Sequence, residues 1–307
     1  MTEMGEMDFG GYRSGYVALV GKPNVGKSTL LNHYIGQKIA AVSFKPQTTR
    51  RRQLGILTLA NAQILFVDTP GFHSGDYKLS DYINEEAQFA LMDADLILFL
   101  VDADQDPDEE DRKMADEIQR RANQTPVLLV LNKIDLVEPA VLESRLLLYQ
   151  DLLDVEDQVL ISAITATGRD LLLERVIEHL PAGPKYFPED QITDTYERDI
   201  SEELIRAAAL QYLRDEVPYG ILVRVDEYKL RENDLLYIHA TIFVERESHK
   251  GIVIGQRGSM IKQISTTARQ EIEAMSGNKV YLELKVKVEK NWRNNPEFLR
   301  RYGLSHD

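Results

Sequence analysis

Between Gly15 and Leu180 the chain alternates short apolar runs with longer stretches whose apolar residues recur every three or four positions. The runs cover residues 16–20, 64–67, 96–101, 127–131 and 159–161. Uninterrupted apolar runs of this length predict strands buried on both faces, the habit of a parallel sheet. Amphipathic stretches from Lys27, over 80–92 and over 108–121 separate most of them and are long enough for right-handed crossovers. The first half therefore reads as an α/β domain, a mostly parallel sheet with helices on both faces. Pro181, Gly183, Pro184 and Pro188 then interrupt both kinds of pattern, which predicts a linker. Beyond it the pattern predicts a helix over 201–216, strands over 221–228 and 236–245 and a helical turn before Gly255. A helix over 259–275 and a strand over 279–288 follow, in the α+β order α-β-β-α-α-β. The expected organisation is a disordered tail over 1–14, a first domain over 15–182, a linker over 183–199 and a second domain over 200–307.

Composition narrows the chemistry. Among 307 residues there is no cysteine, which excludes disulfides, thiolate zinc sites and a Cys nucleophile and suits a reducing cytosol. The longest apolar run has six residues, 96–101, against the roughly 20 that span a bilayer, so no transmembrane helix is expected. Glu3, Glu6 and Asp8 stand where a signal peptide would be basic and then apolar, so a cytoplasmic location is expected. The net charge of −14 opposes a nucleic-acid partner until it is divided: residues 196–307 hold 18 Lys+Arg and 18 Asp+Glu, so the deficit lies N-terminal to them. Residues 249–301 hold 11 basic and 5 acidic side chains, a local excess suited to a polyanion.

Gly21-Lys22-Pro23-Asn24-Val25-Gly26-Lys27-Ser28 fits G-x-x-x-x-G-K-[ST] between a predicted strand and the helical start at Thr29. The glycines let successive N–H groups turn inward around a phosphate and the helix N-terminus adds positive potential. Lys27 reaches the β and γ phosphates, and Ser28 offers a hydroxyl to Mg²⁺. Asn132-Lys133-Ile134-Asp135 follows another strand, some 105 residues after Lys27. The Asp135 carboxylate can accept from both N1–H and the 2-amino group of guanine, a pair adenine lacks. Asp68-Thr69-Pro70-Gly71 closes the strand over 64–67; Asp68 can hold Mg²⁺ through water and the Gly71 N–H can sense a γ-phosphate. Lys45-Pro46-Gln47-Thr48-Thr49-Arg50 offers a threonine to the same metal, Thr49 first and Thr48 close behind.

GKPNVGKS, PQTTR, DTPG, NKID and the pair Ser162-Ala163, in that order, resemble the translation-factor-related GTPases, and PQTTR with DTPGFH resembles the bacterial Era family in particular. The resemblance implies a P-loop GTPase domain that binds GTP or GDP with Mg²⁺. It assigns catalytic roles to Lys27, Thr49 and Gly71, metal ligation to Ser28, Thr49 and Asp68, and nucleotide contacts to residues 21–29 and 68–71 with Asn132, Lys133, Asp135, Ser162 and Ala163. It makes the segments around Thr49 and Gly71 switches that the γ-phosphate orders. Phe72 stands where Ras-type enzymes carry the glutamine that orients water, so slow intrinsic turnover is expected.

Gly255-Gln256-Arg257-Gly258 is G-x-x-G inside the basic stretch, in a V-I-G-x-x-G-S context followed by Ile261, Ile264 and Ala268. With the element order it resembles a type II KH domain, whose loop presses its backbone against about four single-stranded nucleotides. Lys250, Arg257 and Lys262 are the candidate phosphate contacts, and Gly255, Gln256 and Gly258 complete the loop. The Era resemblance extends from about Gly15 to Trp292. It implies a monomeric switch that binds the 3′ end of 16S rRNA, assists 30S subunit assembly and associates loosely with the inner membrane face. Two rivals are an RNA-binding adaptor with GTP as a structural ligand, and a GTPase of tRNA modification or membrane traffic; the basic G-x-x-G stretch disfavours the second. Several features read as ordinary: the six acids among 104–111 as a solvated loop and helix start, Arg50, Arg51 and Arg52 as a solvated basic face, and the histidines as surface or core residues, with a catalytic role for His73, beside the Gly71 segment, as the lesser alternative. Trp292 reads equally as a base-stacking ring or a packing anchor.

Overall fold

The computed structural model describes residues 11–42, 49–71, 77–121 and 124–306. The tail up to residue 10, Thr48, Phe72 and His73 lie outside them. The described residues of Met1–Ile35, Gln53–Thr69 and Gln88–Asp194 form one compact unit; those of Gly36–Arg52, Pro70–Ala87 and Thr195–Asp307 form a second.

In the first unit β1 (Arg13–Val20), β2 (Gln53–Thr58), β3 (Ala62–Asp68), β4 (Leu96–Asp102), β5 (Val127–Asn132) and β6 (Asp157–Leu160) make one sheet in the order β2-β3-β1-β4-β5-β6. All neighbours are parallel except β2, which runs antiparallel to β3. The apolar pattern does not announce β2: Gly55 breaks it, and as an edge strand it leaves Leu54, Leu57 and Thr58 half-exposed. Every residue of β3, β4 and β5 is buried, the state their continuous apolar runs imply. The connections carry α1 (Lys27–Ile35), α2 (Lys78–Met92), α3 (Glu109–Arg121), α4 (Pro139–Gln150) and α5 (Arg169–His179), with the residues of α2 up to Ala87 grouping with the second unit. Polar residues close the apolar strands: Gly21 follows β1, Asp68 ends β3, Asp102 ends β4, Asn132 ends β5, and Ser162 lies just past β6. These are the carboxyl ends, where open parallel sheets meet their ligands.

The expected end of the tail moves. β1 begins at Arg13, inside the expected tail, because Arg13 and Ser14 find partners in Ala62 and Gln63 at the start of β3. The proline-rich stretch after Pro181 forms no helix or strand, yet it is fastened to the edge of the sheet. Ile56 N–H donates to Ile192 O at 2.8 Å, and the Gln63 amide donates to Phe187 O and accepts from the Tyr186 and Phe187 N–H groups.

In the second unit α6 (Glu197–Tyr212), β7 (Leu222–Leu230), β8 (Leu235–Val244), α7 (Glu247–Ile254), α8 (Ser259–Ser276), β9 (Lys279–Val288) and α9 (Pro296–Arg301) follow in order. β7 and β8 are antiparallel, β8 and β9 parallel. α6 and α8 pack on each other and on the sheet, where Ile238, Ala240 and Ile242 of β8 and Ile264, Ala268 and Ile272 of α8 are buried. Trp292 is wholly buried with Leu79, Tyr82, Ile83, Phe243 and Phe298, and its indole N–H donates to Gly220 O at 2.9 Å, which removes it as a base-stacking ring. The basic triplet is not a solvated face as a whole: Arg52 is exposed, Arg51 half-buried and Arg50 buried. Arg50 is 2% exposed; it donates to Ile221 O at 2.7 Å and Tyr219 O at 2.9 Å, with its guanidinium 5.8 Å from the Trp292 ring centre. Burial pulls its pKa down to about 9. Arg51 donates to Tyr302 O, and Arg52 pairs with Glu86 at 3.7 Å. The carbonyls of Tyr219, Gly220 and Ile221, at the turn before β7, need donors once buried, and Arg50 and Trp292 supply them.

Because Trp292 is the one tryptophan and is buried in this cluster, its fluorescence reports the second unit alone. Emission of the native chain should be blue-shifted and move to the red on denaturation. Trp292→Ala should cost about 3–5 kcal/mol in denaturant titrations followed by circular dichroism.

Candidate nucleotide and nucleic-acid sites

The loop between β1 and α1 is organised around Lys27. Its buried ammonium donates to Gly21 O at 2.7 Å and Lys22 O at 3.0 Å, and burial pulls its pKa down to about 8 against the opposing attraction of Asp68. Gly26 sits at φ +107°, and a Cβ there would lie 2.2 Å from Asn132 Nδ2, so the position admits glycine only. Asn132 is committed on both sides: its amide N–H donates to Val25 O at 2.7 Å and its Oδ1 accepts from Ala163 N–H at 2.9 Å. One buried side chain thus ties the phosphate loop to the Ser162–Ala163 loop, a bridging job its spacing alone did not disclose.

The Ser28 hydroxyl, at the start of α1, donates to Asp68 Oδ2 at 2.6 Å, and the Thr69 hydroxyl donates to Leu19 O at 2.7 Å. Two oxygens this close, one of them ionisable, match the hard-ligand preference of Mg²⁺, so the residues fit the metal. Lys133, in the left-handed region at φ +68°, pairs with Asp102, and Asp135 stands exposed beyond it. Asp102 escaped notice as sequence; its signal was a lone carboxylate closing an all-apolar strand. Thr49, half-buried, and Pro70 and Gly71, buried, group with the second unit.

Two expectations change. The Lys22 side chain is turned to α3, 2.8 Å from Asp108 Oδ2 and 2.9 Å from Asp111 Oδ2, leaving its backbone as what it can offer a nucleotide. Burial lowers its pKa, and the two carboxylates more than reverse that. The acidic run is therefore not wholly solvated: Asp111 is fully buried and holds the phosphate loop in place.

In the second unit Gly255, Arg257 and Gly258 all have positive φ, at +72°, +52° and +79°, making a sharp turn between α7 and α8. Gln256, Arg257 and Lys262 are exposed and Lys250 is half-buried, so the candidate residues surround one turn at the N-terminus of an 18-residue helix. A Cβ on Gly255 would meet Met260 at 2.6 Å, whereas one on Gly258 meets nothing within 4 Å. Gly258 is thus kept open toward solvent, and the packing constraint falls on Gly255. His249, beside them, is buried with Nε2 3.8 Å from Glu216.

Asn132→Ala should weaken GTP and GDP binding alike, by about tenfold or more, because it orphans Val25 O and Ala163 N–H together; equal affinities by calorimetry would contradict the bridge. A triphosphate beside Lys27 should raise its pKa from about 8, so nucleotide binding near pH 8.5 should take up most of a proton. Calorimetry in buffers of different ionisation enthalpy reads that uptake, and Lys27→Ala should abolish it.

The family described as 50S ribosome-binding GTPase matches residues 16–133, and the KH domain family matches residues 216–293. The GTPase Era of Geobacter metallireducens is 47% identical over 295 residues, covering 96% of this chain and 98% of its own; that of Ruminiclostridium cellulolyticum is 44% identical over 292 residues, covering 95% and 97%. Among solved structures, Era in complex with MgGDPNP and nucleotides 1506–1542 of 16S ribosomal RNA superposes with a TM-score of 0.88 at 39% identity, covering 96% of this chain and 99% of that one. A variant of Aquifex aeolicus Era bound to GDP·AlF4⁻ gives 0.89 at 38% identity, covering 95% and 99%. Identity at this level over nearly the whole chain, with both domain types in the same order, means that the chain belongs to the Era family of GTPases.

Proposed function

We propose that this chain is a GTP-hydrolysing switch whose KH unit binds the 3′ end of 16S rRNA and which assists assembly of the 30S subunit, with GTP or GDP and Mg²⁺ in the first unit. The label of the broader GTPase family names the large subunit, while the solved relative carries small-subunit RNA; the KH half and full-length identity favour the small subunit. A monomer in the cytoplasm, loosely associated with the inner membrane face, completes the proposal. No helix among the described residues is long and apolar enough to cross a membrane.

Lys27 neutralises the β and γ phosphates, the loop N–H groups from Gly21 to Thr29 orient them, and Asp135 selects guanine. Ser28, Asp68 and Thr49 hold Mg²⁺, which supplies charge neutralisation to phosphoryl transfer. Gly71 N–H senses the γ-phosphate, and Lys133 stays paired with Asp102. Gly255–Gly258 with Lys250, Arg257 and Lys262 tracks the RNA backbone.

The observation that carries the switch reading is Arg50. It follows the candidate metal ligand Thr49 directly, and its guanidinium is buried on carbonyls at the entry to β7 in the second unit. A nucleotide that repositions Thr49 must strain or preserve that anchorage, and the difference in free energy is what couples nucleotide to RNA. RNA of the 16S 3′-terminal sequence should bind the GTP-analogue form about 5- to 150-fold more tightly than the GDP form, and phosphate release should rise when RNA is present. Arg50→Ala should collapse the difference between nucleotide states, with Trp292 emission showing that the cluster remains folded. Equal RNA affinity in all nucleotide states of the parent chain would sink the switch and leave an always-open tether.

A further inference from the structure

The face of the β7-β8-β9 sheet turned away from α8 carries side chains that the G-x-x-G loop does not use. Along β9, Lys279, Tyr281, Glu283, Lys285 and Lys287 alternate onto that face and are exposed, while Val280 and Val286 between them are buried. β9 ends the sheet, and β8 sets Tyr237 beside Tyr281 and Thr241 beside Lys285. The Tyr237 and Tyr281 rings stack with centroids 5.9 Å apart and planes 15° from parallel. The Arg231 guanidinium lies 3.7 Å from the centre of the Tyr237 ring, and the Tyr237 hydroxyl donates to Glu283 at 3.0 Å. A π-stack therefore crosses the sheet from Arg231 through Tyr237 and stops on Tyr281, which is 57% exposed at the open edge. Farther along, the same face closes where Phe243 joins the Trp292 cluster.

We infer that this sheet face is a second RNA-contact surface, with a base stacked on Tyr281 and phosphates on Lys285 and Lys287, for the RNA that extends beyond the four or so nucleotides held at Gly255–Gly258. The inference rests on the RNA-binding reading above. A stack ordered on one side and open on the other is a platform that accepts any base, and lysines beside it match the phosphates that a base brings. The acids of the face are engaged within it: Asp226 accepts from the Thr241 hydroxyl at 2.6 Å, Glu227 lies 3.9 Å from Lys229, and Glu283 holds Tyr237. An acidic protein partner would satisfy the lysines but leave the Tyr281 ring without a planar counterpart.

The test uses the full chain with two probes, RNA of 16S nucleotides 1506–1542 and a single-stranded piece of about six nucleotides from its 3′ end. Tyr281→Ala, and Lys285→Glu with Lys287→Glu, should each weaken the long RNA about tenfold and leave the short RNA and GTP unaffected. The lysine pair should also lower the slope of log affinity against log salt by about one to two, while Tyr281→Phe keeps parental binding. Parental affinity for the long RNA in the variants, or an equal loss for the short one, overturns the second surface; a parent that binds neither RNA, or a Gly258→Asp change that leaves short-RNA binding intact, takes the KH reading down with it.

Discussion

A strand covered on both faces can carry polar chemistry only where it ends. That constraint organises the first unit. β3, β4 and β5 are buried from end to end, so Asp68, Asp102 and Asn132 are the places at which each can turn polar, and parallel pairing brings those ends to one edge beside the loop after β1. The candidate nucleotide site is a set of strand ends, drawn together by the amide of Asn132 reaching from one loop to another. The same burial explains why Lys27, held by loop carbonyls in a dry setting, has a proton loosely enough bound to be tuned by a ligand.

The parallel strands and the motifs on them were legible in the sequence because a doubly buried strand must be apolar throughout, and a phosphate loop needs its glycines at fixed offsets. β2 was not, since an edge strand exposed along half its length has no such obligation and Gly55 resembles a break. The second unit was legible for the same reason in its helices, whose Ile264, Ala268 and Ile272 repeat at helical spacing. Side-chain commitments were less so. Lys22 stands in a motif associated with phosphates yet turns to Asp108 and Asp111, and nothing in the local sequence marks which lysine of a loop will face a helix more than 80 residues away. Arg50 and Trp292 were misread or undecided for one physical reason: their partners are backbone carbonyls, and carbonyls leave no trace in a sequence.

Charge is divided in the same way. The acidic excess belongs to the nucleotide half, where Asp108 and Asp111 steady a loop and Asp102 steadies Lys133. The basic excess belongs to residues 249–301, where Arg257, Lys262, Lys285 and Lys287 are exposed. A polyanion is therefore met by the cationic part of a molecule whose net charge is negative, and the acidic half contributes a general repulsion that disfavours unspecific binding.

The anchorage of Arg50 has a consequence for how the molecule responds to its ionic surroundings. Contacts between lysines and phosphates weaken as salt rises, because association releases counterions whose return becomes easier. A buried guanidinium held by carbonyl dipoles exchanges no mobile ions with the solvent, so salt has little purchase on it. Conditions that strip RNA from the surface would leave the seat of Arg50 on the turn before β7 intact, so ionic strength acts on the exposed lysines and not on the packing behind them.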